Sequence, residues 1–263
     1  MTVAYDGSGF RGFAAQRGQT TVAGSLAAAL HAVVGHEVAL TCAGRTDAGV
    51  HAAGQVVHFD VDPARARPQI LGEGLDTAAI QRSCNRMLAP GIVVTEAAVA
   101  PPGFDARRSA RWRRYRYLLL NREVPDPFLA RTSWLVADEL DLTAMQLSCD
   151  AVHGEHDFAA FCRRPPAPEA TTVRRVLTAG WTRQPHIGPD VLAFEITATS
   201  FCHQMVRSLV GTMVDMGKGR LRAGEMAWIL RAADRSLAGP PAPPHGLCLM
   251  EVGYPPEVLG SAR

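Results

Sequence analysis

Apolar side chains in the first half of the chain follow the spacings of short strands and of two helices. β-patterned runs predict strands at residues 2–5, 38–42, 55–59, 92–99 and 112–120. Apolar positions spaced three or four residues apart predict a helix that begins after Thr20 or Thr21 and ends at Gly35, and a second helix at 75–88 that stops before Pro90. The 112–120 strand alternates most cleanly, with one face made of Arg113, Tyr115, Tyr117 and Leu119.

The second half repeats this mixture of strands and helices. Helices are predicted at residues 142–152, 203–216 and 223–232, and strands at 172–181, 191–199 and 247–252. The polar segment 121–127 contains two prolines and marks the best boundary, which predicts an N-terminal half at 1–121 and a C-terminal half at 122–263. Strict βαβ order is missing, so we expect an α+β fold with antiparallel sheets rather than a doubly wound one.

Composition narrows the class of protein. The chain has 263 residues and is 47% hydrophobic, which is enough for one large core or two ordinary ones. No run of 18 apolar residues and no secretory signal pattern is present, so we expect no membrane span and a cytoplasmic protein. The six cysteines lack CxxC spacing and are interpreted as buried thiols rather than a disulfide frame or a zinc site. His153 and His156 lack a third ligand, so no metal is expected.

The basic residues are distributed unevenly. Net charge is only +2, but Lys218 is the single lysine and every other basic residue is arginine. Residues 107–122 contain seven arginines and no acid, and a second group comprises Arg163, Arg164, Arg174 and Arg175. Guanidinium groups bind phosphates in pairs of hydrogen bonds and stack on bases. This clustering favours a polyanionic partner over a purely solvated surface.

A GxGxxG string follows the first strand, at Gly7, Gly9 and Gly12. A dinucleotide site needs the third glycine to open a helix and an acid at the end of the next strand. Here residues 16–19 intervene before any helix, and Glu37 stands at the start of a strand. A nucleotide-dependent oxidoreductase is therefore the weaker hypothesis, and a flexible loop that closes over a substrate explains the glycines better.

The loop at residues 44–52 contains the best candidate for a catalytic group. Its sequence, GRTDAGVHA, surrounds Asp47 with polar and glycine residues between two predicted strands. By itself such an aspartate is also typical of an ordinary β-turn that accepts backbone N–H bonds. The whole string, however, resembles the signature loop of the tRNA pseudouridine synthase A family residue for residue.

Five further segments resemble that family in the same order along the chain. They are YDGS with GF near the N-terminus, FDAR at 104–107, RYRY at 114–117, GEHDF at 154–158 and FCHQMVR at 201–207. Two departures are Ala14, where the family usually has Gln, and Cys202, where it usually has Leu. Six ordered matches are hard to obtain by chance.

The resemblance implies a fold, a reaction and partners. It implies two ferredoxin-like halves whose antiparallel sheets join around a central cleft, as in the pseudouridine synthase fold. It implies an isomerase that acts as a homodimer on tRNA, converting uridine to pseudouridine at positions 38, 39 and 40 of the anticodon stem-loop. No cofactor is expected, because the reaction involves no redox change or group transfer.

The resemblance also assigns roles to individual residues. Asp47 is the essential carboxylate, and Arg207 pairs with it. Tyr115 stacks on the flipped uracil, and whether it also accepts the C5 proton late in the reaction stays open. Arg45, Arg113 and His51 bind the substrate. Whether Asp47 attacks covalently or removes a sugar proton to leave a glycal stays open.

Two other functions compete with this hypothesis. A non-catalytic RNA-binding protein would use the same arginines, but it gives no reason for Asp47 beside Arg45 in a loop. A glycosidase for small substrates usually needs two carboxylates, and no second acid accompanies the Asp47 loop.

Overall fold

The computed structural model describes residues 1–163 and 171–256, so Arg164 of the second arginine group lies outside the described residues. These residues form two compact units. The first unit is Met1–Arg111 with residues 249–256, and the second is Trp112–Cys248. The division precedes the strand that begins at Trp112, whereas the sequence placed it in the polar segment after that strand. A polar linker is visible in sequence, but the pairing that assigns the strand to the second unit is not.

The first unit alternates strands and helices in the order of a ferredoxin-like fold. Its elements are β1 (Thr2–Tyr5), α1 (Val22–Val34), β2 (Thr41–Cys42), β3 (His51–His58), α2 (Thr77–Leu88) and β4 (Ile92–Glu96). The sheet order is β4-β1-β3, with β2 on β3, and all these pairs are antiparallel. The two helices pack against each other. The predicted α+β class is therefore confirmed in this unit.

Local signals account for the helix ends. The Thr21 side chain accepts a hydrogen bond from Gly24 N–H, and Gly35 takes a left-handed conformation with φ 99° at the other end of α1. Predicted strand lengths were less accurate. β2 is shorter than predicted, because only Thr41 and Cys42 pair with β3, and β3 starts earlier because Ala52 pairs with Tyr5 of β1.

The second unit repeats the same order with additions. Its elements are β5 (Trp112–Asn121), β6 (Trp134–Val136), α3 (Leu142–Asp150), β7 (Gly154–Asp157), β8 (Val173–Arg183), β9 (Val191–Ala198), α4 (Met205–Gly217) and α5 (Glu225–Ala232). Strands β5, β9, β8 and β7 are neighbours in an antiparallel sheet, while β6 pairs with β5 in parallel. Neither β6 nor β7 was predicted. The final strand is β10 (Leu247–Gly253), which lies beside β3. Its residues from Leu249 onwards belong to the first unit.

The alternation predicted for β5 is confirmed. Arg113, Tyr115, Tyr117 and Leu119 are all buried, and the residues between them are half-buried. Burial raises the pKa of the Tyr117 hydroxyl, which donates to the carbonyl oxygen of Pro243 at 2.9 Å.

The cysteine prediction was wrong for one pair. Cys162 and Cys202 form a disulfide, and their Cα atoms are 5.7 Å apart, within the range that a disulfide can bridge. They are separated by 40 residues in sequence, so spacing alone could not reveal the contact. Cys84 and Cys149 are buried thiols as predicted, and burial raises their pKa to about 11 and about 12 respectively.

The described residues contain neither a membrane-spanning helix nor a grouped metal site. Within residues 1–163 and 171–256, no helix is long and apolar enough to cross a membrane. In the same part of the chain, no three His, Cys, Asp or Glu side chains are grouped as a metal site. His156 lies in strand β7, and its Nε2 is 2.7 Å from the carbonyl oxygen of His153.

Candidate active site

Asp47 lies in the loop at residues 43–50, which connects β2 to β3 in the first unit and is called here the Asp47 loop. The aspartate is half-buried, and Arg45 is exposed. Val50 N–H donates to the Asp47 carbonyl oxygen at 3.1 Å, and Gly49 has a φ of 79°. A tight turn with a left-handed glycine thus follows the carboxylate directly.

Buried polar side chains hold the start of the Asp47 loop. The hydroxyls of Tyr5 and Thr46 are 2.7 Å apart, and the Gln55 amide donates to the Gly44 carbonyl oxygen at 2.7 Å. Tyr5, Thr46 and Gln55 are all buried. The residues on both sides of Arg45 are therefore fixed to strands β1 and β3.

The glycine-rich segment after β1 packs against the same loop. Phe13 N–H donates to the Thr46 carbonyl oxygen at 3.0 Å. Gly12 has a φ of 91°, and a Cβ there would lie 3.0 Å from that oxygen, while a Cβ on Gly7 would overlap the carbonyl oxygen of Val50. Gly7–Gly9 forms a short 3-10 helix. Gly7 and Gly12 therefore permit close approach to the Asp47 loop, and a flexible loop that closes over a substrate stays a prediction.

His51 follows the Asp47 loop as the first residue of β3. Its Nδ1 accepts a hydrogen bond from Gly7 N–H at 3.1 Å and lies 3.2 Å from Oδ1 of Asp6. Oδ1 of Asp6 also accepts from Ser8 N–H at 2.9 Å. His51 is buried and contacts the glycine-rich segment, so its predicted contact with substrate stays a prediction.

Two exposed arginines of the first unit, Arg45 and Arg107, lie near Cys42, the residue before the Asp47 loop. The charges of Arg45 and Arg107 both act on the Cys42 thiol, although burial outweighs them and raises its pKa. The FDAR segment is held by Asp105, whose carboxylate accepts from Arg107 and Arg108 N–H at 2.8 Å each. These hydrogen bonds lower the pKa of Asp105. The first unit thus presents Arg107 and Arg108 on an ordered turn, an arrangement suited to phosphates.

The second unit holds the aromatic and basic residues of β5. Tyr115 packs edge-on against Phe201, with ring centroids 5.0 Å apart. Arg113 is buried, and its Nη1 donates to the Thr199 carbonyl oxygen at 2.8 Å. Both contacts fix the 199–201 segment that leads into α4. A substrate contact for Arg113 stays a prediction.

Arg207 is in the first turns of α4 and is fixed at its base. Its Nε donates to the Ala242 carbonyl oxygen at 2.7 Å, and Ala242 N–H donates to the Arg207 carbonyl oxygen at 2.9 Å. The main-chain bond fixes the backbone of Arg207, and the Nε bond orients its guanidinium plane. Burial raises the pKa of the Tyr117 hydroxyl, and the charge of Arg207 opposes that rise. Tyr117 belongs to the same buried face of β5 as Tyr115.

Small residues on α4 allow this segment to approach. A Cβ on Gly211 would overlap the carbonyl oxygen of Pro240, and the Thr212 hydroxyl accepts from Gly239 N–H at 2.9 Å. The chain from Gly239 to Ala242 therefore follows α4 closely and sets the position of Arg207.

The predicted site residues divide between the units. Asp47, Arg45 and His51 are grouped in the first unit, and Arg113, Tyr115 and Arg207 in the second. Sequence reasoning missed Tyr5, Thr46 and Gln55 as supports of the Asp47 loop. Gln55 left a usable signal, because it is a polar residue at an inward position of a predicted strand.

The aspartate of a loop in one α+β unit and the arginine of a helix in the other are the candidate site residues of an RNA-modifying enzyme. A family model described as tRNA pseudouridine synthase matches residues 1–95 and 149–255. The chain therefore belongs to the tRNA pseudouridine synthase family.

Three similar proteins carry a more specific name within this family. The chain is 41% identical to tRNA pseudouridine synthase A of Leifsonia xyli, over 97% of this chain and 91% of that protein. It is 40% identical to the protein of that name from Streptomyces griseus, over 100% and 90%, and 42% identical to that of Xanthomonas euvesicatoria, over 98% and 95%. A solved structure of a Cbf5–Nop10–Gar1 complex aligns at a TM-score of only 0.36 and 12% identity, covering 96% of this chain and 49% of that one.

Proposed function

We propose that this protein isomerises uridine to pseudouridine at positions 38, 39 and 40 of the tRNA anticodon stem-loop. The observation that carries the proposal is the Asp47 loop, in which one half-buried carboxylate follows an exposed arginine on a turn held by buried side chains. A rigid carboxylate beside a phosphate-binding group suits chemistry on a nucleotide.

The reaction breaks the N1–C1′ bond, turns the uracil, and forms a C5–C1′ bond, with loss of the C5 proton and gain of a proton at N1. Asp47 supports cleavage in one of two ways. It attacks covalently, as the carboxylates of glycosidases do, or it removes a sugar proton and leaves a glycal. Both routes need the carboxylate ionised and held close to the sugar.

Residues of the second unit supply the remaining roles in this proposal. Arg207 pairs with Asp47 and keeps it ionised. Tyr115 stacks on the extruded uracil and accepts the C5 proton. Arg45, with Arg113 and His51, holds the nucleotide after it leaves the stack.

Recognition of the tRNA rests on shape and phosphates. Arg107 and Arg108 are exposed on the turn that Asp105 orders, and such groups bind an RNA backbone without reading bases. A homodimer in the cytoplasm is part of the proposal. Light scattering of the purified protein, alone and with tRNA, tests the dimer.

Carbodiimide primer extension on unmodified tRNA transcripts tests the activity. We expect stops at uridines 38 to 40 after incubation with the protein. Transcripts with cytidine at these positions are the matched control and give no stops. Tight tRNA binding without pseudouridine on several tRNAs would instead identify a non-catalytic RNA-binding protein.

A further inference from the structure

One residue in the core of the first unit has the wrong polarity for its position. Gln55 lies in β3 on the same inward face as Val57, and 0% of its surface is exposed. An amide in such a place loses its hydration, and only hydrogen bonds offset that loss. Positions where a buried polar residue breaks the strand pattern are expected to serve a function.

The Gln55 amide contacts the Asp47 loop directly at Gly44 and indirectly through Tyr5. Nε2 of Gln55 donates to the Gly44 carbonyl oxygen at 2.7 Å and lies 3.5 Å from the Tyr5 hydroxyl. That hydroxyl is 2.7 Å from the Thr46 hydroxyl. Among the described residues, Oε1 of Gln55 has no hydrogen-bond partner. The donor side of the amide thus faces the loop.

We propose that Gln55, Tyr5 and Thr46 form a positioning network that sets the orientation of Asp47 for the reaction. Gln55 is the central positioning residue, because it connects to the loop at Gly44 and to Tyr5 at once. The proposal rests on the proposed function in taking Asp47 as the reacting group.

Thr46 is the point where this network meets the carboxylate. Its side chain bonds to Tyr5, and its carbonyl oxygen accepts from Phe13 N–H. Main chain and side chain of the residue before Asp47 are therefore both fixed. On the other side, the Asp47 carbonyl oxygen accepts from Val50 N–H. An aspartate whose preceding residue and own carbonyl group are both held has few backbone orientations.

Asn85 separates this role from ordinary stabilisation. It is also a half-buried amide of the first unit, and it bonds to both main-chain groups of Val94, at 2.9 Å to the carbonyl oxygen and 2.7 Å from the N–H. It supports the contact of α2 with β4 rather than the Asp47 loop. Asn85→Ala is therefore the control for loss of an amide that stabilises the first unit away from the Asp47 loop.

The test compares Gln55→Met, Tyr5→Phe and Thr46→Val with Asn85→Ala. Single-turnover pseudouridine formation, tRNA Kd and Tm are measured for each. We expect the first three to lower the rate by about 10- to 100-fold, as misplacement of a reacting group does, with Kd within about twofold of wild type. Asn85→Ala lowers Tm without that loss of rate, and Thr46→Ser recovers most of the rate that Thr46→Val loses.

Hydrogen exchange of peptides covering 43–50 gives a readout that needs no activity. We expect faster exchange in Gln55→Met than in wild type or Asn85→Ala. Rates that fall only in proportion to Tm, or unchanged exchange in the loop, would overturn the network. If Gln55→Met does not fold, Tyr5→Phe and Thr46→Val decide the outcome, since each removes a single hydroxyl. A wild-type protein that makes no pseudouridine would contradict the proposed function. The exchange rates of residues 43–50 would still test the network, because they do not depend on activity.

Discussion

The Asp47 loop and helix α4 place their charged groups by opposite means. The loop has no internal hydrogen-bond ladder, so Asp47 is held by side chains of β1 and β3 and by close contact with Gly7 and Gly12. Arg207 sits on a helix that is rigid by itself, and a reciprocal pair of bonds with Ala242 completes its placement.

The two charged groups are therefore vulnerable to different kinds of substitution. A loop that depends on several separate tethers loses orientation when one is removed, even if the fold survives. A residue on a packed helix keeps its position until the packing itself is disturbed. Substitutions in the first unit should therefore affect rate before stability, and those at the α4 contact should affect stability first.

The largest effect of this kind is expected from Gly7→Ala. The new Cβ would overlap the Val50 carbonyl oxygen and displace the turn after Asp47, and misplacement of this order lowers the rate about 100-fold. Single-turnover pseudouridine formation measures it. Gly9→Ala is the control, because open space surrounds Gly9. Equal rates for the two variants would contradict the account.

Gly211→Ala tests whether the contact between α4 and the segment 239–242 stabilises the fold. Its Cβ would overlap the Pro240 carbonyl oxygen, and overpacking of this kind costs about 1–3 kcal/mol of unfolding free energy. Thermal unfolding should show a Tm lower by about 2–4 °C per kcal/mol. Gly224→Ala, at a position with open space and φ −64°, should leave Tm unchanged.

Arg207→Lys separates charge from geometry at the same helix. Lysine keeps the positive charge but lacks the Nε–H that binds the Ala242 carbonyl oxygen. We expect about a tenfold loss of kcat, the equivalent of one hydrogen bond to a charged group. Arg231→Lys, an exposed position on α5, is the control and should match wild type. A wild-type kcat for Arg207→Lys would show that the guanidinium geometry does not matter.

The smallest effect concerns the turn that carries Arg107 and Arg108. Backbone hydrogen bonds lower the pKa of Asp105 in the folded protein. Its stabilising contribution is therefore present above its unfolded pKa of about 3.9 and is lost as pH falls through the lower folded value. The stability difference between wild type and Asp105→Asn should be largest near neutral pH and shrink below pH ~4 in chemical unfolding curves. A difference that grows on acidification would contradict this sign.

Local sequence features predicted much of this fold. The cap at Thr21, the left-handed Gly35 and the alternation of β5 each depend on neighbouring residues, and each is confirmed. The short strands β6 and β7 were missed because their pairing to β5 and β8 supplies the stability that their own sequences do not signal.

The site was predictable in part for the same reason. Asp47 stands in an uninterrupted string that identifies the loop. Gln55, by contrast, reaches Gly44 through the fold, and Cys162 meets Cys202 across 40 residues. An inward polar residue in a strand signals a function, but only tertiary structure shows what it holds.

Asp47→Asn tests the central claim most directly. The amide has the size of the carboxylate but neither its charge nor its basicity, and the tethers of the loop are on neighbouring residues. With saturating tRNA, we predict a loss of at least about 10³-fold in single-turnover pseudouridine formation, with tRNA Kd and Tm unchanged. A rate within about tenfold of wild type would show that the reacting group lies elsewhere.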